Sequence, residues 1–277
     1  MREIDVFLDI DGCLINQRYE FTSSLDKLRL AAKQISDKAR INLNSNRSLP
    51  SILKIWERVL FNGLLIYENG IGTYNPITKE GDSFGQSEFD RDSLLSILNG
   101  VAEGFDFIST DELVREPKKF VSDIASKIYF EETRKFTLTA YPRLFKNNIP
   151  FIDPEYITEV KKRFESAFSN SYNIRTSDSY GNIILVPKNA IKSNPMRRIS
   201  RGSNIASFGD ELADTCMFDE SSYGLCGCPG NSPELVKDFV KRQEGFVSSE
   251  DYTNGVIGFL EYLNNYLGRS RNEKSNY

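Results

Sequence analysis

The chain has 277 residues, 39% of them apolar, with 35 Lys and Arg against 39 Asp and Glu, a net charge of −4 and no histidine. This is room for one large domain or two modest ones in an ordinary soluble composition, and the acidic balance argues against a nucleic-acid surface. The missing histidine excludes a Ser-His-Asp triad, His-ligated zinc and imidazole base chemistry, so proton transfer falls to carboxylate, lysine, tyrosine or thiol.

Ile4–Ile10 reads as a strand buried on both faces, because it is apolar with little alternation. Ser24–Ile35 has helical periodicity, and Ala39–Leu43 is a second strand. Ser48 is placed as an N-cap, with Pro50 in the first turn of a helix to about Phe61. Leu64–Tyr67 is a third strand, closed by the turn signal Glu68-Asn69-Gly70. Lys127–Tyr141 mixes β-branched, aromatic and charged residues, the pattern of half-exposed antiparallel strands. Tyr156–Phe168 is an amphipathic helix, and Tyr172–Thr176 with Ile183–Val186 form a hairpin around Tyr180-Gly181-Asn182. Strand and helix alternate again through Ile205–Phe208, Leu212–Phe218, Gly224–Cys226, Ser232–Gln243, Phe246-Val247 and Gly255–Tyr266, with a polar, frayed tail from Gly268. The expected fold is α/β: a doubly wound, Rossmann-like parallel sheet made by residues 1–80 and 188–277, interrupted by an α+β insertion over 81–187.

Two further features bear on the setting. No run of ~18 apolar residues occurs and nothing resembling a leader precedes the first strand, so a soluble, cytoplasmic protein without a membrane partner is expected. Cys13, Cys216, Cys226 and Cys228 are then expected as reduced thiols, and Cys226-Gly-Cys228 lacks the spacing of a zinc site.

The chemistry concentrates at strand ends. The first strand runs into Asp9-Ile10-Asp11-Gly12-Cys13-Leu14, and a buried pair of carboxylates calls for compensation, for which a metal ion is the usual answer. The second strand ends in Asn44-Ser45-Asn46-Arg47, a hydroxyl- and amide-rich turn suited to a phosphate. A late strand ends in Gly209-Asp210-Glu211-Leu212-Ala213-Asp214, and Pro187-Lys188-Asn189-Ala190-Ile191-Lys192 supplies lysines between insertion and core. In a doubly wound sheet these carboxyl ends line the ligand crevice.

These four segments, in this order and at this spacing, resemble the four motifs of haloacid-dehalogenase-superfamily phosphatases. The layout is nearest the Cof-type and sucrose-phosphate-phosphatase-like branches, which carry an α/β cap between the second and third motifs. Ser45-Asn46-Arg47 stands where the family has Thr or Ser followed by Gly-Arg, and Asn46 replaces that Gly. Gly230-Asn231-Ser232 with Gly255-Val256 resembles the closing stretch.

The resemblance implies a Mg²⁺-dependent phosphatase acting on a small phosphorylated metabolite, a sugar phosphate or similar polyol, through an aspartyl phosphate. It makes Asp9 the nucleophile and a metal ligand, and Asp11 the acid/base, with its carbonyl on the metal. Asp210 becomes a metal ligand, and Asp214 a holder of the metal's water shell or of Lys192. Ser45, Asn46 and Arg47 fall to the phosphate, with Arg47 equally suited to support structure; Lys192, rather than Lys188, becomes the phosphate-neutralising lysine. The cap would select substrate, with Arg134, Lys135, Tyr141, Arg143 and Arg175 as candidate contacts. A phosphomutase using the same Asp9, or a catalytically silent binding protein, are the competing expectations.

Overall fold

The computed structural model describes residues 3–83, 91–177 and 180–274. The chain divides into two compact units, one from residues 1–84 with 191–277 and the other from 85–190. In chain order the first unit begins with β1 (Ile4–Leu8), α1 (Leu25–Ile35), β2 (Ala39–Asn44), α2 (Leu49–Val59), β3 (Leu65–Tyr67), β4 (Gly72–Asn75) and β5 (Glu80–Ser83). The second holds α3 (Arg91–Leu98), β6 (Gly104–Ile108), α4 (Thr110–Arg115), β7 (Ser126–Glu131), β8 (Leu138–Lys146), β9 (Ile149–Phe151), α5 (Pro154–Phe168), β10 (Tyr172–Ser177) and β11 (Asn182–Pro187). The first unit then resumes with α6 (Asn194–Ser200), β12 (Asn204–Phe208), α7 (Thr215–Glu220), β13 (Cys226–Cys228), α8 (Glu234–Arg242), β14 (Phe246–Val247) and α9 (Tyr252–Lys274).

The first unit is an eight-stranded sheet in the order β14-β13-β12-β1-β2-β3-β4-β5. β1 is central and parallel to both neighbours, with Leu8 in register with Phe208 on one side and Leu43 on the other. The chain leaves β1 toward β2 and β3, then returns to build β12, β13 and β14 on the opposite flank. That reversal makes the β1/β12 edge a topological switch point, where the carboxyl ends of strands open a crevice. All five residues of β1 are buried, as a strand covered on both faces requires. Phe7 packs with Ile66, Met196 and Met217; full burial of one such side chain is worth roughly 1.5–3 kcal/mol. Asp5, also buried, is answered by Arg40 at 2.6 Å.

Several elements differ from expectation. The sheet is not wholly parallel: β4 and β5 add an antiparallel edge to β3. β5 is polar and exposed and β4 is mostly half-buried, and neither carries an apolar alternation. α2 ends at Val59 because Leu60 turns left-handed, at φ 56°. The strand expected at Gly224–Cys226 pairs two residues later, since Gly224 sits in a turn at φ +75°. Leu212–Phe218 splits into a 3-10 turn, Leu212–Asp214, followed by α7. α9 continues through the tail expected to fray, as far as Lys274; the final three residues lie outside those described.

The second unit is a six-stranded sheet with the path β10-β11-β8-β7-β6 and β9 attached to β8. It is antiparallel except for the β6–β7 pair. Alternation assigns its faces: Ile128, Phe130, Leu138, Ala140, Ile183 and Leu185 pack with Val160 and Phe164 of α5. Tyr129 and Tyr141 instead cluster with Leu113. Arg143 is buried and donates to the carbonyls of Pro142, Tyr180 and Gly181. Burial pushes this guanidinium down to about 10, Tyr141 and Tyr129 opposing. No helix among the described residues is long and apolar enough to cross a membrane.

Candidate active site

The strand register dictates which groups meet. Because β1, β12 and β2 are parallel and aligned, the residues just past Leu8, Phe208 and Leu43 emerge side by side. The Asp9 N–H donates to the Phe208 carbonyl (2.9 Å) and the Ser45 N–H to the Ile66 carbonyl (3.0 Å), so both residues still ride on the sheet. Asp9, Ser45, Lys192 and Asp214 are all buried.

Lys192 Nζ donates to Asp9 Oδ1 at 2.8 Å and to Asp214 Oδ1 at 2.7 Å. Two contacts fix the segment that carries it. The Asn44 amide donates to the Lys192 carbonyl at 2.9 Å. Gly70 lies so near Ile191 that a Cβ there would come 2.4 Å from its carbonyl oxygen. Glu68, Asn69 and Gly70 are all left-handed, at φ 47°, 60° and 89°. Only a turn tolerant of positive φ brings that backbone in so close. The Glu68-Asn69-Gly70 signal therefore marks a buttress under the lysine. Lys188 belongs to the other compact unit and is exposed.

Asp214 turns its second oxygen to the N–H groups of Asp210 and Glu211, both at 3.1 Å. The carboxylate thus contacts Lys192 and also shapes the loop that carries Asp210. The Asp210 carboxylate lies over Gly12, where a Cβ would fall 1.9 Å from Oδ2; Gly12 has φ +77°. Cys13 Sγ is 3.5 Å from Asp210 Oδ1. Donor atoms of Asp9, Cys13 and Asp210 all lie within 4.8 Å of one another, a group able to hold a cation.

Electrostatics support a cation at this place. Three carboxylates, Asp9, Asp210 and Asp214, face one ammonium. Burial drives the Asp9 carboxyl well above its usual range, with Lys192 opposing and Asp214 and Asp11 adding. Asp210 is pushed up to about 9 by burial and then by Asp9 and Asp214. Burial alone would lower Lys192, but Asp214 and Asp9 overcome it and hold the ammonium well above its ordinary range. Burial, with Asp210 and Asp9, also raises the Cys13 thiol. The surplus negative charge on oxygen donors is what a hard divalent ion neutralises.

Asp11 faces elsewhere. Its carboxylate takes a two-pronged contact from Arg47, Nε to Oδ2 at 2.8 Å and Nη2 to Oδ1 at 2.7 Å. Arg47 Nη1 reaches Ser51 Oγ at 2.8 Å, and its guanidinium lies 4.6 Å from the Tyr19 ring centroid. The Ser45 hydroxyl accepts the Arg47 N–H at 3.2 Å. Asn46 fits this turn without left-handed backbone. Of the four residues expected around a metal, Asp9 and Asp210 enter the donor cluster, while the carboxylates of Asp11 and Asp214 are engaged by Arg47 and Lys192.

Sequence reasoning missed Cys13, Ser51 and Tyr19 as members of this region. Cys13 lies within the Asp9–Leu14 segment but was read as a reduced core thiol; Ser51 stands one helical turn beyond Arg47. Tyr19 carries no local signal. Asn231, in the stretch that resembles the family's closing segment, donates to the Gly12 carbonyl and accepts the Tyr252 N–H, each at 2.9 Å, and so ties the Asp9–Cys13 loop to the start of α9.

A buried carboxylate thus stands at the switch point of a doubly wound sheet, paired to a lysine and within a donor group able to hold a cation. The sequence profile of the haloacid dehalogenase-like hydrolases matches residues 6–260, and the chain belongs to that family. Solved structures share the fold at low identity. A haloacid dehalogenase-like hydrolase from Bacteroides thetaiotaomicron is 17% identical, with a TM-score of 0.67 over 95% of this chain and 100% of that one. A Thermotoga maritima protein is 21% identical, with a TM-score of 0.66 over 95% and 97%. The sucrose-phosphatase of Synechocystis, in complex with sucrose and phosphate, is 13% identical, with a TM-score of 0.58 over 95% and 98%. No curated protein matches the chain.

Proposed function

We propose that the protein is a Mg²⁺-dependent phosphatase that hydrolyses a small phosphorylated metabolite, a sugar phosphate, through an aspartyl phosphate on Asp9. The observation that carries this reading is the Asp9–Lys192–Asp214 chain beside Asp210. It joins a nucleophile, a fixed positive charge and a cation-holding carboxylate at one strand end. The sugar-phosphate class draws support from the sucrose-phosphatase and from a trehalose-6-phosphate phosphatase related protein among the proteins of like fold.

Asp9, Asp210 and the Asp11 main-chain carbonyl would hold Mg²⁺, which when bound offsets the dianionic charge of a phosphate monoester. Asp9 attacks phosphorus in line and the ester P–O bond breaks. Asp11 gives a proton to the departing alkoxide and later takes one from water. Lys192, which donates to Asp9 Oδ1, neutralises the arriving phosphate as a point charge. Asp214 keeps Lys192 aimed, and the Ser45 hydroxyl hydrogen-bonds the phosphate. The unit of residues 85–190 serves as the cap that selects the organic part of the substrate, and the reaction takes place in the cytoplasm.

A screen of phosphorylated metabolites with Mg²⁺, reading inorganic phosphate, tests the reading. Phosphate release from at least one sugar phosphate is expected. Asp9→Asn abolishes it while leaving the unfolding transition intact; full activity in Asp9→Asn overturns the mechanism.

A further inference from the structure

The Arg47–Asp11 contact is built rather than incidental. Both carboxylate oxygens are taken by separate guanidinium nitrogens, at 2.8 and 2.7 Å, the fork geometry that fixes a carboxylate in plane as well as in distance. Arg47 is held in turn from three sides. Ser51 takes its remaining terminal nitrogen (2.8 Å), the Tyr19 ring lies against its guanidinium, and the Ser45 hydroxyl binds its own N–H. The Arg47 side chain is 10% exposed, against 40% for Asp11, so the rigid partner is the arginine and the carboxylate is the group it presents.

We propose that Arg47 is a positioning residue for Asp11, holding its carboxylate in the orientation that accepts a proton from the attacking water when the aspartyl phosphate is hydrolysed. In that step water oxygen bonds to phosphorus, the bond from phosphorus to Asp9 oxygen breaks, and one water proton passes to Asp11. The products are free Asp9 carboxylate and inorganic phosphate. This inference rests on the assignment of Asp9 as nucleophile and Asp11 as base, and the experiment separates the two.

p-Nitrophenyl phosphate isolates the step, because its leaving group departs without a proton. With Mg²⁺ present, rapid mixing of the Arg47→Met enzyme is expected to release about one equivalent of nitrophenolate in a burst. Steady turnover then falls roughly 10–100-fold below wild type, up to the lower limit of what full loss of acid–base assistance costs, because Asp11 itself remains. Inhibition by inorganic phosphate changes little, because phosphate is held elsewhere. Arg47→Lys, which keeps the charge and loses the fork, gives the same burst with an intermediate rate. Asp11→Asn is the reference and also bursts. A burst in Asp11→Asn but not in Arg47→Met, with weakened phosphate inhibition, overturns the role of Arg47 and leaves Asp11 as assigned. A burst in neither overturns the assignment of Asp11, and the role of Arg47 with it. Wild-type turnover in Arg47→Met overturns the inference outright.

Discussion

Asp214 accepts the Lys192 ammonium at 2.7 Å inside a pocket that leaves both side chains almost wholly buried. Asp214→Ala removes one countercharge of a buried lysine and the one oxygen that accepts from two backbone N–H groups. Breaking such a pair from one side costs about 3–5 kcal/mol. Urea denaturation is expected to show a loss of that order, with kcat reduced by about 10²-fold as Lys192 and the Asp210 loop shift. An unchanged urea midpoint would contradict the account of Asp214 as the anchor of this cluster.

Gly12 gives a second test. Any side chain there meets the Asp210 carboxylate, and its φ of +77° already disfavours L residues. In Gly12→Ala, Asp210 must move out of reach of Asp9. Calorimetric titration with Mg²⁺ is expected to show affinity reduced by 10-fold or more, since displacing one carboxylate ligand weakens a hard-cation site.

The pH dependence of cation binding follows from Asp210. Its carboxyl is pushed up to about 9, burial being the largest cause. A carboxyl raised above its unfolded value of about 3.9 stays protonated in the fold across the interval between them. Its contribution to stability is complete below about pH 4 and is lost as pH rises through about 9. Cation ligation needs the ionised form, so binding competes with this proton. In scanning fluorimetry, Tm of the Mg²⁺-free protein is expected to fall as pH rises from about 6 to 9. The increase in Tm on adding Mg²⁺ should grow over the same range, and an increase that shrinks would refute the assignment.

Asn231 offers a milder test. Its amide satisfies the Gly12 carbonyl on one side and the Tyr252 N–H on the other. Asn231→Ala leaves both backbone groups seeking partners and is expected to destabilise the protein by about 1–3 kcal/mol in chemical denaturation. Turnover should fall as well, because the loop from Asp9 to Cys13 loses its outer tether.

The strands that carry the site were the most legible part of the sequence. β1 is buried along its whole length and reads as an apolar run broken only by Asp5, while β2 and β12 mix apolar with polar residues; each ends in polar residues that nothing in a core would explain. β4 and β5 left no such trace: β5 is exposed and β4 mostly half-buried, and antiparallel backbone pairing of β4 to β3 and of β5 to β4 specifies them more than side-chain burial does. β13 was misplaced because Leu225-Cys226-Gly227-Cys228 is small and uniform, and only the positive φ of Gly224 fixes where pairing begins.

Within the site, residue types foretold which groups gather but not which touch which. Asp9, Asp11, Asp210 and Asp214 look alike as letters. Their separation into donors for a cation and acceptors for Arg47 and Lys192 depends on strand register and loop direction, which composition does not encode. Cys13 shows the same limit. It reads as a small core residue, and it becomes a neighbour of Asp210 only through a backbone turn at Gly12.

The central position of β1 bears on how the chain is made. Ile4 pairs on one side with Ala39 but on the other with Asn204, 200 residues downstream. At about 5–20 residues per second, a ribosome takes roughly 10–40 s to deliver that second neighbour. Throughout the interval this fully buried strand has one open edge, a ready template for pairing with a wrong chain. Yield from expression is therefore expected to depend on chaperone supply and temperature more than the finished protein's resistance to unfolding would suggest.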